Sequence, residues 1–211
     1  MNEEQAILDF FSRAENLSLG LAVAEQMDEI RGQMNNRLWR ELLARIKVLI
    51  NQHELAWQAE STEDKNAPDS LVGLHCIANP EQPLYLRPML EQQYLGGTWR
   101  IYFGLMWSTS PTPDQLELPA VTSLKAALQK AGFKSNENFL AWQWTSFHPR
   151  RKDFLLGYAQ QPEKLLDDIE TIFKTLLTDH RAAIELANAA LNSLAPSLVV
   201  SLKQLRDELI D

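Results

Sequence analysis

Residues 18–52 read SLGLAVAEQMDEIRGQMNNRLWRELLARIKVLINQ, and this stretch sets the layout that the rest of the chain has to fit. Apolar side chains recur in it at steps of three and four residues, the spacing that places them on one face of an α-helix. They are Leu19, Val23, Met27, Ile30, Met34, Leu38, Leu42, Ile46 and Leu49. At 1.5 Å per residue the predicted helix would be roughly 50 Å long. Ser18 is its expected N-cap, and we expect any kink at Gly32 or at Asn35 and Asn36.

A second long helix is predicted for residues 163–194. Pro162 suits its first turn, and Pro196 stops it. Its apolar face repeats the same steps and consists of Leu165, Ile169, Ile172, Leu176, His180, Ile184, Ala187, Leu191 and Leu194. Two amphipathic helices of this length can bury their apolar faces against each other, or against a sheet that lies between them in sequence. Residues 197–210 predict one more amphipathic helix.

Between the two long helices the pattern changes to an alternation that indicates β-strands. Strands are predicted at residues 54–60, 71–78, 84–95, 98–107 and 139–147, with one helix at 120–131. Residues 98–107, TWRIYFGLMW, are apolar on both faces and are expected near the middle of the sheet. Pro88 is expected to put its strand at an edge or at a bulge. Gly96 and Gly97 predict a hairpin turn.

These elements predict one α+β domain over residues 1–211. Its core would be a mainly antiparallel sheet of about four to six strands, packed by the two long amphipathic helices. Helices are assigned to residues 1–53 and 162–211, and the sheet region with one helix to residues 54–160. Residues 150–160 fit either a strand or a short helix.

The composition restricts the class of protein. A formal net charge of −8 and a pI near 5.1 argue against a surface that binds nucleic acid everywhere, because a polyanion would be repelled at long range. A local basic patch stays open. Cys76 is the single cysteine, which suits a reducing cytoplasm. The acidic N-terminus does not fit a signal peptide, and no window reaches about 18 apolar residues, so we expect a cytoplasmic protein without a membrane span.

No catalytic signature stands out. The motifs of serine hydrolases, nucleotide-binding loops and zinc proteases do not occur. The four histidines are widely separated, and the neighbours His75 and Cys76 would point to opposite faces of a strand, which makes them a poor joint metal site. We therefore expect a non-enzymatic protein with no metal and no cofactor.

One dense basic cluster, Arg150, Arg151 and Lys152, follows the predicted strand that carries Trp142 and Trp144. Cations and aromatic rings on one surface could bind a phosphate backbone or stack a base, which makes these five residues a candidate site for nucleic acid or another anion. The alternative is a solvated turn whose cations balance nearby carboxylates.

A polar loop gives a second alternative, a divergent metal-dependent nuclease. Glu63, Asp64 and Lys65, followed by Pro68 and Asp69, superficially match the PD…(D/E)xK pattern. That chemistry needs its carboxylates to converge on one metal from neighbouring strands. Here the E-x-K precedes the PD and both lie in one loop, so a solvated surface loop is the simpler interpretation.

The leading hypothesis is an interaction or oligomerisation module, because such long apolar faces could exceed what one small sheet covers. Its partner would be another protein or a second copy of the chain. The candidate interface residues are Leu38, Trp39, Leu42, Ile172, Leu176 and His180.

Three segments also support a resemblance. They are FFSRAENLSLGLAVAEQMDEIRGQMNNRLWRELLARI at residues 10–46, TWRIYFGLMW at 98–107 and DHRAAIELAN at 179–188. Together they resemble a region that follows the catalytic core in bacterial proteins of the PD-(D/E)XK nuclease superfamily. The catalytic aspartate, the (D/E)xK strand and its lysine have no matching positions here, so the resemblance implies an accessory, recognition or oligomerisation module and does not imply cleavage.

Overall fold

The computed structural model describes residues 2–61, 72–78, 86–95 and 98–194. Within these ranges the chain forms helices and one five-stranded sheet. In chain order the elements are α1 (Glu3–Phe11), α2 (Ala14–Gln52), β1 (Trp57–Ser61), β2 (Val72–Ala78), β3 (Leu86–Leu95), β4 (Thr98–Trp107), α3 (Pro113–Leu116), α4 (Pro119–Lys130), β5 (Phe139–Trp144), α5 (Lys152–Gln160), α6 (Pro162–Asp179) and α7 (Arg181–Leu194).

The sheet has the strand order β1-β2-β3-β4-β5, and each neighbouring pair is antiparallel. The α+β class with an antiparallel sheet is therefore confirmed. β4 lies between β3 and β5, as its two apolar faces indicate. The edge position expected for the strand with Pro88 is wrong, because β3 is the central strand. The hydrogen-bonded ladder between β3 and β2 ends at the pair His75–Met89, so residue 88 does not have to donate a backbone N–H to β2.

Side chains alternate along the strands, so that one face of the sheet carries the main core. On β4 this face presents Ile101, Phe103 and Leu105, which pack with buried side chains of α2, α4, α6 and α7. Two polar contacts connect helices to the same layer. The Trp39 indole donates to Gln92 Oε1 at 2.9 Å, and the Asn188 amide on α7 bonds both backbone groups of a residue at the start of β3.

α2 runs unbroken from Ala14 to Gln52, so the helix is not interrupted at Gly32 or at Asn35 and Asn36. Its N-cap is Arg13, not Ser18, because the helix begins earlier than expected. Gly32 and Asn35 are buried, and tertiary contacts at these positions override their weak helix propensity.

The apolar positions of α2 do not share one face. The eight steps from Leu19 to Leu49 average about 3.75 residues, longer than the 3.6 residues of a helical turn, so the apolar line winds around the helix by about 120°. Its C-terminal half, with Leu42 and Leu49, faces the sheet and is buried. Its N-terminal half, with Leu19 and Ile30, is turned away and exposed.

The second long helix is two helices. α6 ends at Asp179, His180 is its C-cap, and α7 begins at Arg181. The Arg181 guanidinium donates to the carbonyl oxygens of His53 and Glu54 at 3.0 and 3.2 Å, which ties the break to the end of α2. The expected continuous helix at 163–194 is therefore wrong.

The sheet region also holds more than the one expected helix. α4 occupies most of the predicted range. α3 is added ahead of it, started by a capping box in which Thr112 and Gln115 bond each other's backbone. Within the ambiguous residues 150–160, Lys152–Gln160 form α5. The predicted hairpin glycines at 96 and 97 and the helix predicted at 197–210 lie outside the described residues.

Within the described ranges, none of the helices has the length and apolar character that crossing a membrane requires.

Candidate interaction surfaces

Four of the six predicted interface residues belong to the core of a single chain. Leu38, Trp39, Leu42 and Leu176 are each at most 4% exposed and pack in the main core. Ile172 is partly buried against the same core. The four buried side chains cannot reach a partner, so the predicted interface is wrong at these four positions, while Ile172 stays a prediction. His180 is a half-buried helix cap instead of a member of an apolar stripe.

The apolar surface that the helices leave exposed lies at the other end of α2. We call α1 and residues 14–30 of α2 the N-terminal arm. Large apolar side chains of the arm are between 40% and 60% exposed: Ile7, Leu8, Phe10, Leu17, Leu19, Leu21, Val23 and Ile30. At 100° per residue Leu19, Val23 and Ile30 lie within about 40° of one another on α2 and so form one stripe.

The two helices of the arm are held together at close range. A Cβ on Gly20 would lie 2.9 Å from Cδ1 of Phe11, so the absence of a side chain lets α1 approach α2. The Asn16 amide donates to the Phe10 carbonyl at 3.0 Å and closes the turn between them. α1 thus covers one side of α2 and leaves the stripe beside it open.

Two networks of charged groups fix the other half of α2 to the body. In the first, Arg45 binds three carboxylates of α6, with 2.6 Å to Asp167, 3.0 Å to Glu170 and a further ion pair to Glu163. Burial would lower the pKa of Arg45, but the hydrogen bonds to these carboxylates raise it above its usual value.

In the second network, Glu41 accepts hydrogen bonds from Tyr158 Oη at 2.6 Å and from Arg37 Nε at 2.8 Å. Desolvation would raise the pKa of Glu41, but these two donors outweigh it and the pKa is lowered. Burial and the bond to Glu41 raise the pKa of Tyr158. Both networks therefore hold the C-terminal half of α2 against α5 and α6.

The basic cluster is partly neutralised by nearby acids. Arg151 pairs with Asp153 at 3.3 Å, and Lys152 reaches Glu3 of the arm at 3.1 Å. A shallow depression of about 420 Å³ beside them is lined by Arg151, Lys152, Asp153 and Leu156. These ion pairs fit the solvated-turn interpretation better than a site for a polyanion.

Arg150 and the two tryptophans predicted to join it lie on opposite faces of the sheet. The Arg150 guanidinium stacks over Trp99 at 5.4 Å, and Trp99 shares its face of β4 with the main core. Trp142 and Trp144 pack on the other face, against Tyr102. The predicted joint surface of Arg150, Arg151 and Lys152 with these tryptophans is therefore wrong.

The second face of the sheet has its own aromatic cluster. Met89, Tyr102 and Met106 are buried in it, and Phe139, Trp142 and Trp144 of β5 pack over them partly exposed. The indole rings of Trp142 and Trp144 meet edge to face, with centroids 5.6 Å apart and planes at 89°. Their centroids lie 6.5 and 5.3 Å from that of the Tyr102 ring.

Two cations that sequence reasoning missed lie over these indoles. Arg100 is 5.3 Å from the centroid of Trp144, and Lys134 is 5.8 Å from that of Trp142. Alternation on β4 could have found Arg100, since it shares a face with Tyr102. Lys134 comes from a separate segment that pairs with Trp142 through two backbone hydrogen bonds, which only the fold reveals.

Cys76 is fully buried, and desolvation raises the pKa of its thiol. The nuclease hypothesis rests on Asp64, Lys65 and Asp69, which lie outside the described residues. Within the described part of the chain, no three side chains of the metal-binding types converge on one point.

Comparison of the chain with protein-family models, with characterised proteins and with solved structures finds no match, so the resemblance to the region beyond the catalytic core of PD-(D/E)XK nucleases stays a hypothesis.

Proposed function

We propose that this protein is a non-enzymatic module that self-associates through its N-terminal arm. The observation that carries the proposal is the stripe of Leu19, Val23 and Ile30, which the helix turns away from the core and leaves exposed. Scattered apolar residues are normal on a protein surface, but several large apolar side chains aligned on one exposed helix face favour a docking surface.

A second copy of the same chain is the simplest occupant of the stripe. Leu17 and Leu21 lie about 160° around α2 from Leu19, so they belong to the opposite side of the helix and not to this patch. The stripe and the polar side chains beside it would together supply the roughly 800 Å² that each partner contributes to a standard interface. A two-fold dimer needs one patch that is complementary to itself, and an apolar stripe along one face of a helix meets that need.

The charge of the arm gives the proposed dimer a recognisable salt dependence. From Glu3 to Arg31 the chain carries seven carboxylates and two arginines, a formal net charge of −5. Two copies would repel each other at low ionic strength while their apolar surfaces attract. Salt screens the repulsion, so the self-association should tighten as salt rises.

Sedimentation velocity tests this over a range of about 1–100 µM protein, at low and high salt. We expect a monomer–dimer equilibrium in the wild type and a monomer in the double variant Leu19→Glu/Ile30→Glu. Both positions are exposed, so the variant should keep its circular dichroism spectrum and its thermal midpoint.

Val48→Glu is the matched control, because Val48 is on the same helix, is 53% exposed and lies outside the arm. It should self-associate like the wild type. A wild-type protein that stays monomeric at the highest concentration would refute the proposal, as would an arm variant that associates as strongly as Val48→Glu.

A further inference from the structure

We propose that Arg100, Lys134, Trp142 and Trp144 form a binding site for single-stranded nucleic acid on the second face of the sheet. This site is separate from the N-terminal arm and from the basic cluster at residues 150–152.

Both cations are available to an anion. Arg100 Nε donates to the Thr145 carbonyl at 2.8 Å, which holds the guanidinium in place. Its terminal NH₂ groups and the Lys134 ammonium have no carboxylate within ion-pair distance among the described residues, whereas Arg45, Arg151 and Lys152 each do. An unpaired cation held in place can bind phosphate without first breaking an ion pair.

The aromatic rings supply the second half of the site. Trp142 and Trp144 are two residues apart on β5 and only partly buried. Bases stack on such rings with little regard to sequence, and the cations that lie over the two rings, Arg100 and Lys134, add cation–π contacts. Rings and unpaired cations therefore meet on one surface.

The ring geometry selects a single strand over a duplex. The two indole centroids are 5.6 Å apart with nearly perpendicular planes, a wider spacing than the roughly 3.4 Å between successive bases of a duplex strand. A nucleic acid that engages both rings must have its bases unstacked and splayed, as in single strands and loops.

Fluorescence anisotropy tests the proposal with labelled dT20, rU20 and a 20-base-pair duplex, at salt concentrations from 50 to 250 mM. We expect the wild type to bind both single strands more tightly than the duplex, with affinity that falls as salt rises. The double variant Arg100→Gln/Lys134→Gln should bind dT20 at least about tenfold more weakly. Its salt slope should be lower in magnitude by about 1.4, since each phosphate contact on a single strand contributes about 0.7.

Arg151→Gln/Lys152→Gln is the matched control, because it removes the same charge from exposed residues that pair with Asp153 and Glu3 and not with the indoles. It should bind within about twofold of the wild type. Trp144→Leu should weaken binding by about tenfold or more with an unchanged salt slope, because it removes stacking and no charge. Since that ring packs on Tyr102, its fold is checked by circular dichroism, and the exposed Lys134→Gln provides an independent single change.

Three results would overturn the proposal: no binding of dT20 by the wild type at 50 mM salt, equal weakening by the two double variants, or a duplex affinity equal to that of the single strand. The arm variant Leu19→Glu/Ile30→Glu should bind dT20 like the wild type. The two proposals also predict opposite effects of salt, so either can fail without the other.

Discussion

Leucine-to-alanine substitutions at two positions of α2 test whether its two halves have different roles. Leu42 is fully buried in the main core, whereas Leu19 is 56% exposed on the arm. Leu42→Ala removes packed atoms and leaves a cavity, which costs about 3 kcal/mol of the free energy of unfolding. Leu19→Ala removes surface that is already in water and should cost less than about 0.5 kcal/mol.

Urea denaturation followed by circular dichroism measures the difference. With a slope of about 2–3 kcal/mol per molar urea, Leu42→Ala should lower the midpoint by about 1–1.5 M and Leu19→Ala by less than about 0.3 M. The protein concentration is kept below the range of self-association, because a dimer would add its own stability. Equal losses for the two variants would refute the assignment of opposite roles to the two halves of α2.

Three further predictions concern the body of the protein. Tyr158→Phe should cost about 1–2 kcal/mol at pH 7 by removing the bond to ionised Glu41. Because folding raises the pKa of Tyr158, the protonated phenol stabilises the folded state below its ordinary pKa of about 10, and this stabilisation is lost as the pH rises further. Thermal melts at pH 7 and 10.5 should therefore show a smaller fall in the midpoint for Tyr158→Phe than for the wild type. Arg45→Gln should cost about 1–2 kcal/mol, because it leaves three carboxylates side by side, and added salt should restore part of the loss in thermal melts. Gly104→Ala should destabilise strongly, since its Cβ would overlap a backbone carbonyl oxygen of β5, while Gly157→Ala, which meets open space within α5, should stabilise by about 0.5–1 kcal/mol in the same assay.

Several elements could be predicted because their signals are local. The alternation at residues 98–107 and the two-sided apolar character of that strand depend on neighbours in sequence, and β4 occupies the position they indicate. The proline signals had mixed outcomes. Pro162 starts α6 as expected, but Pro88 is accommodated in a central strand because the ladder with β2 stops beside it.

The candidate sites were harder to predict, because they depend on which partner each face meets. Leu38, Leu42 and Leu19 recur at the same steps of three and four in the sequence, and their opposite exposures follow from the winding of the apolar line and from which turns of α2 pack against the rest of the chain. Trp142 and Trp144 were predicted to join the basic cluster that follows them, but strand alternation and the pairing at residue 134 placed them with Arg100 and Lys134 instead.

The amino-acid sequence by itself determined the class of the fold, since periods of 3.6 and two residues are properties of the backbone that every segment carries with it. It also contained the winding of the apolar line on α2, because the mean step follows from the spacing of the residues alone. Only the tertiary structure decided which turns of that helix are buried, where the second long helix breaks, and which cations lie over the indoles. These features depend on contacts between segments that are far apart in the sequence. Such segments pack against the same sheet, and the residues that the sheet covers cannot be read from the spacing of one segment alone.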